Sequence, residues 1–331
     1  MARYIAGRLI GVAAILVVIC FFTYVIFFWL SPDPAVAVCG KTCTAMRIHE
    51  IRIALGLNQP FFTQFWDFLR GIFAGRDYGS GADLVHCPAP CLGYSFQSSQ
   101  NVWQMITARL PVSVTVAVGA AVLWLVAGVG AGLLSGVKEN SWWDRGAMVL
   151  ALGGASIPSY VLALVLQYLL VVQLHWLPFP GNVGFRPDPG LWFQSYLMPW
   201  VVLAAAYACL YARLTRANVI DTLAENFMRT ARAKGLGPVL ILRRHALRPA
   251  LTPITTIFGM DFAGLLGGAL IVETVFGLNG VGQMASQAIS SNDQPVIMAV
   301  TLLAGFFVVI GNLVVDLLYT LLDPRVRITA G

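Results

Sequence analysis

The sequence predicts an all-α membrane protein with six transmembrane helices, a folded external loop between helices 1 and 2, and a short cytoplasmic helix after helix 4. Three observations predict it. Of the 331 residues, 58% are hydrophobic and only 11% are charged, against ~25% charged in a soluble domain. Six apolar stretches are each long enough to cross a ~30 Å hydrocarbon core as helix. Lys and Arg gather in alternate loops, which defines two sides.

The six spans run over Ile5–Leu30, Pro111–Val137, Ala147–Val172, Met198–Leu214, Leu251–Phe276 and Val296–Leu318. All are read as helix, because an open strand in lipid leaves its backbone groups unpaired. Pro158 predicts a kink in the third. Three regions follow: 1–30 with the first span, 31–110 as an external loop, and 111–331 as the transmembrane core.

Arg3 and Arg8 precede the first span, Lys138 and Arg145 flank the second short loop, and Arg325 and Arg327 follow the last span. The loop after span four holds Arg216, Arg229, Arg232, Lys234, Arg243, Arg244 and Arg248. Positive loops stay in the cytoplasm, so both termini of this multi-pass protein are placed there. The formal charge of +6 is thereby read as topology, not as nucleic-acid binding. Arg3, Arg8 and Ala35-Val36-Ala37 mimic a signal peptide. The apolar run is too long for one, and Pro32 and Pro34 break the approach to cleavage, so the first span is expected to stay.

In the external loop, Ile53, Leu57, Phe61, Phe65 and Leu69 approach helical spacing, and Pro60 divides them into two short helices. Cys39, Cys43, Cys87 and Cys91 form two Cys-x3-Cys pairs. An external site favours disulfides of undetermined connectivity; the alternative is a metal site adding His86 and His49, at a spacing unlike that of zinc ligands. Cys20 and Cys209 are apolar fillers within spans. Gly40-Lys41-Thr42 ends like a phosphate-binding loop, but Ala35 stands where its first Gly belongs. No other candidate is found, so any ATP hydrolysis belongs to a partner, and the chain is read as not an enzyme, without cofactor or metal of its own.

The cytoplasmic stretch from Thr222 to Gly235 carries the most information. Thr222 and Glu225 have capping-box spacing. Gly235 stops the helix, with Lys234 in its last turn. Ala224, Phe227, Met228 and Ala231 share one face. Gly237-Pro238 starts a second helical stretch, and Pro249 marks its exit. A small, capped amphipathic helix suits either a protein partner or anionic lipid.

Phe227-Met228-Arg229-Thr230-Ala231-Arg232-Ala233-Lys234-Gly235, with His245-Ala-Leu-Arg-Pro-Ala-Leu-Thr-Pro253, resembles the coupling-helix motif of binding-protein-dependent ABC transporter permeases of the dipeptide, oligopeptide and nickel subclass. Leu55-Gly-Leu-Asn-Gln-Pro60, Ala108-Arg-Leu-Pro111, Ser141-Trp-Trp-Asp-Arg145, Ser156-Ile-Pro-Ser159, Gly264 to Phe276 and Leu322 to Arg327 resemble it too, so the likeness spans nearly the whole chain. The resemblance implies half of a translocation path for di- or oligopeptides. It implies that Glu225 to Gly235 dock on one of two separate ATPase subunits, which bind ATP and Mg. It also implies a second, different permease subunit and an extracytoplasmic binding protein. The cysteine pairs and the stretch from Asp77 to Cys91 depart from the subclass.

Asp261 and Glu273 lie in span five. A carboxylate there costs ~2.5–3.5 kcal/mol at the bilayer centre and should face a path or a partner group. Tyr160 and Gln167 are assigned to the same path beside Pro158, whereas Asp316 is assigned a structural role. Gly128–Gly132 and Gly264–Gly268 have the spacing of close helix packing. Two rival readings are an importer of nickel or another metal chelate and a secondary transporter, although no inverted repeat is evident. An intramembrane enzyme needs a nucleophile and base, or metal ligands, at helical spacing; none of His49, His86, His175 and His245 sits mid-membrane, and no His-x3-His pair exists.

Overall fold

The computed structural model describes residues 2–30, 35–36, 44–54, 56–78 and 84–322. The first helix, α1 (Ala2–Tyr24), runs on through a wide π turn, Val25–Trp29. After it come α2 (Ala45–Ala54) and α3 (Phe61–Ala74), separated as Pro60 requires. Strands β1 (Arg76–Tyr78) and β2 (Val85–Cys87) pair antiparallel, as do β3 (Tyr94–Ser95) and β4 (Gln100–Asn101). A disulfide joins Cys87 to Cys91. Those oxidised sulfurs are not thiolate ligands, which removes them from the metal alternative. Cys39, Cys43 and the Gly40-Lys41-Thr42 stretch lie outside the described residues.

Five helical runs are long and apolar enough to cross a membrane, among the described residues. The second run joins α4 (Val102–Trp124), a π turn and α5 (Gly130–Val137). It starts earlier than expected because Pro111 lies inside the helix instead of opening it, as prolines in spans can. The segment between the first two runs thus ends at Asn101, before α4 begins.

The expected third span is broken. Helix α6 (Trp142–Ala155) and α7 (Ser159–Gln167) are bent by 97° and make a sixth crossing only if counted together. Pro158 occupies the N-cap of α7 with ψ 136°. It starts a new helix rather than kinking an existing one, since the residue before a proline is kept out of helical backbone.

Helix α8 (Pro189–Ala224) is 36 residues long and overruns the expected span at both ends. Asp188 caps it, accepting from the Leu191 N–H at 2.9 Å, and Pro189 takes the first turn. Then follow α9 (Asn226–Ala233), α10 (Pro238–Ile241), a π turn and α11 (Leu247–Leu266). Pro249 does not end this helix. It sits in the turn after the π segment, where the ladder is already loosened. The fifth span breaks instead at Gly267–Ala269, before α12 (Leu270–Val275). Helices α13 (Val281–Ser291) and α14 (Gln294–Leu322) complete the described residues.

The core lies where α4, α8 and α11 meet. Trp124 is fully enclosed there, its ring stacked on Tyr207 at 4.7 Å and tilted to Phe258 at 6.0 Å. Helix α8 approaches α4–α5 along a glycine seam. A Cβ on Gly128 would stand 2.7 Å from the Ala208 carbonyl oxygen, one on Gly132 2.5 Å from that of Ala212, and one on Gly136 2.8 Å from Val219 Cβ. The expected Gly264–Gly268 pair does not pack in this way. Gly264 faces open space, and α11 meets α14 through Gly267, 2.8 Å from Ala304 Cβ by the same measure.

Gly132→Val should therefore force α8 off its seat and destabilise by at least the ~1–3 kcal/mol of an overpacked core. Gly130→Ala, with nothing within 4 Å, should melt like the unaltered chain. Thermal unfolding in detergent compares the two.

Candidate functional site

The candidate site is the stretch hung between two long helices, α8 and α10–α11. The capping box expected there does not form. Thr222 lies inside α8, and its hydroxyl donates to the Asn218 carbonyl at 2.7 Å. Glu225, with φ −62° and ψ 150°, is the single non-helical residue between α8 and α9. The chain turns a corner at Glu225 because that one extended residue interrupts two helices.

The two faces of α9 have different tasks. Met228 and Ala231 are buried against Ile241 and Ala246, with Leu223, Leu236 and Leu242 around them. Phe227, Arg229, Thr230, Arg232, Ala233, Lys234 and Gly235 are exposed, as are Ala224 and Glu225. The expected four-residue apolar face is thus split. Met228 and Ala231 fasten the helix to its own loop, and Phe227 stays 45% exposed. Arg232 Nη2 reaches the Leu223 carbonyl at 3.4 Å. Gly235 has φ +76°, a left-handed conformation that stops the helix and favours glycine. Val239 and Leu240 are exposed beside it, 64% and 45%. The result is a rigidly mounted, basic and partly apolar knob.

Asp261 is half-buried and accepts a hydrogen bond from Tyr211 of α8 at 2.8 Å. Glu273 is fully buried. Its Oε2 accepts from the Gly282 and Gln283 N–H groups at 2.7 and 3.1 Å. Those donors belong to the first turn of α13, where free N–H groups and the helix dipole both favour a carboxylate. Ser113 Oγ accepts from the Val281 N–H at 2.8 Å, so α4, α12 and the start of α13 are tied at one point. Tyr160 is exposed and Gln167 half-buried on α7; neither hydrogen-bonds Asp261 among the described residues. The side chain of Asp316 lies outside the described residues.

One polar centre was not legible as such. Arg216, counted above with the loop cations, lies within α8 and grips Asp144 at the start of α6. Its Nε and Nη2 donate to the two carboxylate oxygens at 2.6 and 2.8 Å. Ser135 donates to the same carboxylate, as does the Asn140 N–H at 2.9 Å. Asp144 is only 3% exposed, and this donor set is what allows a charge to sit there. The one sequence signal was the acid three residues after Ser141, the N-cap of α6.

The family described as "binding-protein-dependent transport system inner membrane component" matches residues 128–328. Its N-terminal membrane-component companion matches residues 1–117. The chain belongs to this family. A "putative peptide transport system permease protein" of Brucella abortus is 35% identical over 327 residues, 99% of either chain. A "probable peptide ABC transporter permease protein" of Sinorhizobium fredii is 34% identical over 332 residues, covering 99% of this chain and 100% of the relative. The "glutathione transport system permease protein" of Escherichia coli K12 is 34% identical over 327 residues, again 99% of both. Among solved structures, the inward-facing MetNI methionine ABC transporter aligns with 67% of this chain and 97% of its own, at TM-score 0.55 and 17% identity; that likeness concerns the fold alone. The protein is a multi-pass membrane permease subunit of an ABC importer, and such subunits work with ATPase and substrate-binding partners. A secondary transporter is thereby set aside.

Asp144→Ala should strand the Arg216 guanidinium, which is 25% exposed. A loss near the lower end of ~3–5 kcal/mol is expected. Asp144→Leu combined with Arg216→Met should recover most of it. The melting temperatures of the purified variants decide whether the pair is coupled.

Proposed function

We propose that this subunit forms half of a peptide translocation path and is driven by separate ATPases that dock on α9. The observation that carries the reading is the mounting of α9. Two buried side chains, Met228 and Ala231, hold it between α8 and α10–α11, while Phe227, Arg229, Thr230 and Arg232 to Gly235 are left outward. A push on such a knob is transmitted through its buried contacts to two long helices at once. Glu225 supplies the corner and Gly235 the stop. Peptide as substrate is supported by the names of relatives that match 99% of the chain.

Asp261 is assigned to the path, where its half-buried carboxylate meets the amino or cationic groups of a peptide. Tyr160 and Gln167 are assigned to the wall formed by the bent α6–α7 pair. Glu273 is assigned to hold the path's outer end through α13 rather than to touch cargo. Both termini and α9 are placed in the cytoplasm by the Lys and Arg pattern. ATP and Mg belong to the partners, and the second permease is a different homologous chain.

Gly235→Asp and Arg232→Glu should each abolish ATP-linked peptide uptake while the protein still reaches the membrane in normal amount. Transport by a folded Gly235→Asp subunit at the unaltered rate would overturn the docking role. Affinity purification in mild detergent should recover an ATPase and a second permease. An isolated single-chain product would contradict the proposed assembly.

A further inference from the structure

Helix α3 has two apolar faces. One packs on α1: Phe61, Phe65 and Phe68 surround Tyr24 at ring-centroid distances of 5.8, 5.7 and 5.4 Å. The other carries Phe62, Trp66 and Phe73, which are 74%, 63% and 80% exposed. Spacings of four and seven residues align these three rings along one stripe of the helix.

Depth tells what covers that stripe. Arg8 stands at the start of the α1 span Gly7–Phe28, a position that puts its charge at headgroup level. From there ~20 residues at ~1.5 Å each use up the ~30 Å hydrocarbon core and end near Phe28. Tyr24 and Cys20 therefore lie roughly 6 and 12 Å inside the far boundary. Both belong to the cluster that buries Phe68 of α3 and Met298 of α14. A helix seated at that depth lies among acyl chains, and bulky aromatic rings are the side chains suited to the boundary above them.

Beside α3 the same elements wall a cavity of about 530 Å³, within the ~300–1,000 Å³ of ligand sites. Val17 and Cys20 of α1, Ile72 and Phe73 of α3, and Leu302 and Phe306 of α14 line it, and every other lining residue is apolar too. Val17, Cys20, Leu302 and Phe306 all lie inside membrane spans, so the medium at its mouth is hydrocarbon. We propose that α3 is an in-plane helix of the leaflet far from the amino terminus, and that this cavity holds one acyl chain of a phospholipid. Calling that leaflet the outer one rests on the orientation given under the proposed function; the lipid contact itself does not.

The test uses the purified complex in nanodiscs of plain phosphatidylcholine or of phosphatidylcholine brominated at a shallow or a deep acyl position. Bromine quenches a nearby indole, and the difference between the unaltered chain and Trp66→Phe isolates Trp66. Loss of most Trp66 emission in brominated lipid, greater for the shallow label, is expected. Equal Trp66 emission in plain and brominated lipid would mean that water or a partner chain covers the stripe, and the in-plane helix would be wrong. The cavity is read separately, by mass spectrometry of phospholipid retained after detergent washing. Leu302→Trp and the milder Leu302→Phe fill the space and should lose one retained lipid per chain at unchanged melting temperature. Unchanged retention in a folded variant overturns the acyl-chain site. Neither readout needs ATP or peptide, so failure here leaves the importer reading intact.

Discussion

Close backbone approach between α8 and α4–α5 is the constraint on which the rest of this structure depends. Inside a bilayer, apolar area gains nothing by leaving lipid for another apolar helix, so contact density has to hold helices together. Gly128, Gly132 and Gly136 supply it by letting the backbone of α8 settle against them. The seam then decides where the polar groups of α8 fall. It brings Arg216 to Asp144, and the same helix carries Tyr211 to Asp261. Trp124, between Tyr207 and Phe258, closes the middle.

Two enclosed carboxylates pin opposite ends of this assembly, each by a different device. Asp144 is matched by a guanidinium fork with added hydroxyl and backbone donors. Glu273 is matched by the free N–H groups at the start of α13, without a cation of its own among the hydrogen bonds described. Both solve the same problem, since a desolvated charge is tolerated only with its full complement of partners. Because Glu273 joins α12, α13 and, through Ser113, α4, the break at Gly267–Ala269 leaves a defined corner instead of a loose end.

The knob at α9 is built with similar economy. A single extended residue, Glu225, separates a 36-residue helix from an eight-residue one. So short a helix is marginal alone, and Met228 and Ala231 stabilise it by burial under α10 and the π turn. Its remaining side chains are exposed, with Arg232 and Thr230 each also reaching a backbone carbonyl, of Leu223 and Asn226. That division between a fastening face and a presenting face is what the proposed docking role requires, since a partner's push would have to reach the spans instead of melting the helix.

Composition and charge placement were enough to establish a helical membrane protein. No water is available to pair backbone groups in lipid, and cations sort to one side whatever the packing. The stop at Gly235 was likewise legible, because a left-handed residue after a helix is a local preference. Local sequence could not tell Thr222 as a cap from Thr222 inside α8, nor a Pro158 kink from a break. Those outcomes depend on what lies opposite. The same holds for Arg216, whose partner is 72 positions away, and for Glu273, whose donors belong to a helix that only the tertiary fold brings round. The sequence by itself determined the solvent each segment requires. The tertiary structure decided which charges are spent on holding helices together and which remain for a partner, because that depends on distances of a few ångströms between segments far apart in the chain.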